Sequence, residues 1–145
     1  GNSDHVGVAG QDLVNRLGQP TTVASCNYWD LVRDAIVEKG LLEGSRVPGH
    51  AAHFETSLVM ALRPDWVDAG ALAKVADQSN AAGGLDVDLT GAVVQTYGTF
   101  QAGPGHTDNP ADATAELGNA MLEVIVEEVA QFYRNFAKVP GPQLD

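Results

Sequence analysis

His50, His53 and Glu55 place two imidazoles and a carboxylate within six residues. Such groups can take a proton near neutral pH or ligate a metal. They stand in the stretch Gly49-His50-Ala51-Ala52-His53-Phe54-Glu55-Thr56-Ser57-Leu58-Val59-Met60-Ala61-Leu62, which opens on a Pro48-Gly49 turn and becomes apolar at helical spacing. A helix from Ala52 onward would put Glu55 on one face with Leu58, Val59 and Leu62, a stripe that faces a core. A carboxylate on that face needs a cation, a metal or several donors. Were His50 helical too, it would lie about 140° round the axis from Glu55, at ~100° per residue. Convergence therefore requires His50 to precede the helix, and the proline–glycine pair allows it.

Spacing alone leaves two chemistries open. The pattern lacks the i,i+4 histidine pair of zinc-protease helices, and Glu55 could equally cap the helix while the histidines line a surface. A catalytic metal takes about three protein ligands, and this sequence clusters too few. If a metal binds here, part of its site lies elsewhere. His5, in a first helical turn, and His106, in a glycine-rich loop, read as structural. Cys26 falls in an expected buried strand, a core position rather than a nucleophile. Trp29 ends that strand and either packs in the core or covers a ligand. The sequence contains no phosphate-binding P-loop, dinucleotide fingerprint or nucleophile elbow.

Positioning these residues falls to an alternating set of elements. Val6, Ala9, Leu13, Val14 and Leu17 predict a first helix after Asn2-Ser3-Asp4, closed by Gly18 and Pro20. Residues 21–29 are β-branched and aromatic and predict a buried strand. A short helix over 31–39 and an irregular 41–49 lead to the helix of the focal stretch, stopped at Arg63-Pro64. Residues 65–75 form a short amphipathic turn or helix, 77–91 a long polar loop, and 92–100 a second strand. After a loop holding His106, Asn109 and Pro110 start a long helix with Leu122, Ile125, Val129, Phe132 and Phe136 as its apolar stripe. The order α, β, α, α, β, α predicts part of a layered α/β sheet. Two strands are too few for a sheet covered on both faces, so others must join them.

At 145 residues the chain suits one domain, 1–139, with a tail over 140–145. A net charge of −11 argues against nucleic-acid binding. No apolar run approaches the ~20 residues of a membrane span. The lone Cys26 excludes an internal disulfide and fits a reducing compartment, so a cytoplasmic location is expected. Opening on Gly1-Asn2-Ser3-Asp4 without methionine, the chain reads as a processed subunit or fragment.

The stretch GHAAHFETSLVMALRPDWVD resembles the Gly-His-Ala-Gly-Glu-x-Glu-Thr-Ser segment of the creatininase family. Asn27-Tyr28-Trp29-Asp30 is similar to that family's Tyr-Trp-Asp. Residues 98–118 resemble its lead into the last helix, and Gly1-Asn2-Ser3 the tail of its Asn-Gly-His-Gly-Gly-Asn metal motif. The resemblance implies the C-terminal part of a three-layer α/β/α sandwich. It also implies a metal-dependent amidohydrolase of cyclic amides or formamides. Two divalent ions, zinc with manganese or iron, would activate water, and the assembly would be a homo-oligomer such as a hexamer. Carried over, His50 is the general base, Glu55 a residue at or just behind the metals, and Trp29 a substrate-covering aromatic. Asn2 ends the metal motif. Ala52 and His53 depart from the family's glycine and glutamate and would reshape the substrate pocket. The remaining metal ligands would come from an N-terminal chain or fragment. The alternative is a non-catalytic subunit or scaffold of the same fold.

Overall fold

The computed structural model describes residues 3–75 and 105–142. Among these, the regular elements are helical: α1 (Ser3–Gln11), α2 (Tyr28–Glu38), α3 (His53–Leu62), α4 (Ala69–Val75) and α5 (Ala115–Phe136). The helix α1 widens into a π-helical turn over Asp12–Arg16, and Gly18 follows in the left-handed region at φ +60°. Single 3₁₀ turns at Gly44–Arg46, Pro64–Trp66 and Pro110–Asp112 shape the connections.

Three helices make the core. Val32 and Ile36 of α2, Phe54 and Leu58 of α3, and Met121 and Val124 of α5 form one buried cluster, joined by Leu42 and Val47 from the connection between α2 and α3. The α3 and α5 backbones meet closely at Ser57 and Gly118, where a side chain on Gly118 would run into the Ser57 carbonyl and the Ala61 methyl. Ser57, wholly buried, accepts a hydrogen bond through its hydroxyl from the Thr114 backbone N–H at 3.2 Å. Thr114 in turn caps α5, its hydroxyl accepting from the Leu117 N–H at 3.1 Å. The crossing is thus held by a close fit and a shared cap.

Several expectations shift. Residues 21–27 form no strand; positions 21–26 are exposed, so Cys26 is exposed rather than core. β-branched residues favour a strand only where a neighbour offers a pleated surface, and no described strand pairs with them. Tyr28 and Trp29 instead open α2 behind Asn27, whose side-chain amide donates to Asp30 at 2.8 Å. The strand expected at 92–100 and the loop at 77–91 lie outside the described residues, as do Asn2 and the tail beyond residue 142. The layered α/β sheet therefore has no strand among the described residues.

Asn109 and Pro110 do start a helical turn, with the Asn109 carboxamide accepting from the Ala111 N–H at 3.0 Å. That turn ends at Asp112, Ala113 is extended, and α5 begins afresh at Ala115. The deepest face of α5 carries Gly118, Met121 and Val124, with Leu122 and Ile125 beside it. The close approach at Gly118 turns that edge inward, leaving Val129, Phe132 and Phe136 half-buried.

Candidate active site

A sharp kink presents His50 ahead of α3. The Val47–Pro48 peptide is cis, Gly49 lies at φ +64° and Ala51 at φ +45°, so two left-handed residues flank the histidine. Its backbone is gripped from both sides by one residue. The His50 N–H donates to the Thr107 hydroxyl at 2.8 Å, and the Thr107 N–H donates to the His50 carbonyl at 3.0 Å. Gly49 is required here for space as well as dihedral, since a Cβ on it would stand 3.0 Å from the Thr107 hydroxyl. The imidazole itself is exposed.

Glu55 sits in the first turn of α3. Ala52 occupies the N-cap and has no side-chain acceptor, so Glu55 reaches back and accepts the Ala51 N–H at 2.6 Å. A carboxylate there also meets the positive end of the helix dipole. The stripe expected to bury Glu55 is rotated. Phe54, Ser57 and Leu58 are buried, while Val59 and Leu62 are 37% and 62% exposed. Phe54, the bulkiest side chain on the helix, takes the core, and Glu55 moves to its rim.

An open cavity of about 530 Å³ lies along that rim. Tyr28, Glu55 and Thr56 are the polar residues of its lining, and Ala51, Leu58, Val59 and Leu62 the apolar ones. The Tyr28 ring stacks on Phe54 with centroids 6.2 Å apart and meets Trp29 edge-on at 5.3 Å. Burial, and secondarily the Glu55 charge, push the Tyr28 phenol above its ordinary range. Tyr28 thus lines the cavity, whereas Trp29 packs against the core cluster, one of the two positions open to it from sequence.

His53 is not drawn to this cavity. Its backbone N–H donates to the Asp108 carboxylate at 2.9 Å, and its Nδ1 lies 3.3 Å from an Arg46 guanidinium nitrogen. Guanidinium cannot accept, so in this contact Nδ1 is the acceptor. Arg46 and His53 border a separate cavity beside Val37 and Glu43. His106 donates from Nδ1 to the Asp108 carbonyl at 2.8 Å.

The structure therefore joins His50 to Glu55 through Ala51, while His53 borders the second cavity and Trp29 packs against the core cluster. Sequence reasoning missed Tyr28, Thr107 and Asp108. Tyr28 adjoined a flagged tryptophan, but its side of the helix depended on where α2 starts. Thr107 and Asp108 act on residues 55 to 57 positions away, a distance no periodicity reports.

Among the described residues no three His, Cys, Asp or Glu side chains converge on one point. Glu55 offers a single carboxylate already accepting a backbone N–H, so the described residues alone do not fit a metal centre of about three protein ligands. Nor is any described helix long and apolar enough to cross a membrane.

A family model described as creatininase, creatinine amidohydrolase, matches residues 1–133. A creatinine amidohydrolase of Pseudomonas putida is 33% identical, over 80% of this chain and 43% of its own length. The chain thus spans less than half of that relative. No solved structure matches.

Proposed function

Because this chain belongs to the creatininase family, we propose that it forms part of an amidohydrolase cleaving a non-peptide C–N bond, with His50 as general base. The substrate class is a cyclic amide or a formamide. What carries the proposal beyond kinship is the presentation of His50, an exposed imidazole on an immobilised backbone three residues ahead of the helix whose first turn holds Glu55. A neutral imidazole there can take a proton from the attacking water and return it to the leaving nitrogen. Leu58, Val59 and Leu62 offer apolar lining to a small ring, and Tyr28 and Glu55 offer polar contacts. Trp29 bears on substrate by setting the Tyr28 ring, and His53 by anchoring the start of α3 to Asp108.

The proposal includes a requirement for divalent metal, two ions being the expectation, zinc with manganese or iron, and Glu55 as one ligand. The other ligands would come from the part of the family's length that this chain does not span, in the same polypeptide or a partner. The same part would complete the α/β/α sandwich, in a cytoplasmic homo-oligomer of up to six copies.

The test is hydrolysis of creatinine and of a panel of cyclic amides and formamides by the complete assembly, before and after chelation, for wild type and His50→Ala. Full activity in His50→Ala would reject the base. A metal-loaded assembly inert across the panel would favour the non-catalytic subunit.

A further inference from the structure

Resting on the reading of His50 as the base, we infer that Thr107 is its positioning residue, acting through the backbone rather than on the substrate. Two hydrogen bonds of opposite sense tie this one residue to His50, at 2.8 and 3.0 Å, across 57 positions of sequence. The residues on either side of His50 are both left-handed, at φ +64° and +45°. A kink of that kind persists only when its surroundings over-determine it.

Three contacts do so here. Thr107 fixes the N–H and the carbonyl of His50, and Glu55 fixes the next N–H, that of Ala51. The Thr107 hydroxyl also packs where a Gly49 side chain would be, so glycine and hydroxyl are matched to one another. With both backbone groups of His50 held, the direction of its Cα–Cβ bond is set. Misplacing a reacting group by about 1 Å can cost on the order of 100-fold in rate.

Thr107→Val keeps the β-branched shape and the bond to the His50 carbonyl but deletes the acceptor for the His50 N–H. In the complete assembly, with creatinine as probe, it should lower kcat roughly 10- to 100-fold. KM and Tm should stay close to wild type, and the His50 amide should exchange faster with solvent. Thr107→Ser, which keeps the hydroxyl, should restore kcat. On a His50→Ala background Thr107→Val should cost nothing further, because there is no imidazole left to aim. An unchanged kcat in Thr107→Val, or a loss that adds in full on His50→Ala, overturns the inference while leaving His50 as base. A fully active His50→Ala overturns both together and is visible in the single variant. A purely structural role would lower Tm and leave the double variant additive.

Discussion

Gly118 of α5 lies against the backbone carbonyl of Ser57 in α3, with no room between them for even a methyl group. That contact sets the rotation of both helices. It turns Phe54 and Leu58 inward and so leaves Glu55, Val59 and Leu62 facing the cavity.

Gly118→Ala should therefore destabilise the protein although alanine is the better helix former by about 1 kcal/mol. Overpacking typically costs about 1–3 kcal/mol, and here the obstacle is backbone, which cannot step aside. Thermal denaturation should show a marked drop in Tm, with Gly7→Ala, whose nearest obstacle is 3.9 Å away, as the control. A Tm unchanged by Gly118→Ala would mean that the crossing can open freely.

His50→Ala should separate function from stability. The side chain is exposed, so its removal should shift stability by only about 0.5 kcal/mol. Loss of a general base should lower kcat by roughly 10²- to 10⁴-fold. Steady-state kinetics and a melting curve on the same preparation check both halves.

For Glu55, two substitutions distinguish its roles. Glu55→Gln keeps an oxygen for the Ala51 N–H and should retain Tm, whereas Glu55→Ala should lose about 0.5–2 kcal/mol, the usual range for a helix cap. If the carboxylate also ligates metal, Glu55→Gln should lose activity and bound metal despite its intact fold. Normal metal content in Glu55→Gln would leave only the capping role.

The raised Tyr28 pKa makes an alkaline prediction. Burial is its main cause, and Glu55 the second. Below the ordinary phenol value of about 10, Tyr28 is protonated in both folded and unfolded chains, and its contribution to stability is complete. As pH rises above that value the unfolded chain releases the proton first, and stability falls until the folded pKa is passed. Tyr28→Phe should flatten that decline, and absorbance titration of the phenolates should lose a component that lies above the ordinary value. The same component should shift downward in Glu55→Gln.

How much of this was legible in the sequence depended on range. The kink before α3, the stop at Pro64 and the Asn109 cap are local, and residues 48 to 64 and 109 to 110 show them where the sequence suggests. The face of α3 was misjudged because Val59 and Leu62 are as apolar as Phe54 and Leu58. Only the crossing with α5 decides between the two stripes. A strand was expected at residues 21–29 because β-branched side chains report a preference for a surface, not the presence of one. Which of Tyr28 and Trp29 would line the cavity was not legible either, since one residue of shift at the start of a helix turns a side chain by about 100°.

The grip of Thr107 on His50 also has a consequence for how the site comes into being. It closes a loop of more than fifty residues, and the entropy of that closure must be met by contacts as distant in sequence as Ser57 and Thr114. Local propensity can form α3, but it cannot hold His50 in place. During synthesis the histidine motif emerges well before the threonine that aims it. Any chain that ends short of Thr107 carries the family's most recognisable segment without this geometry.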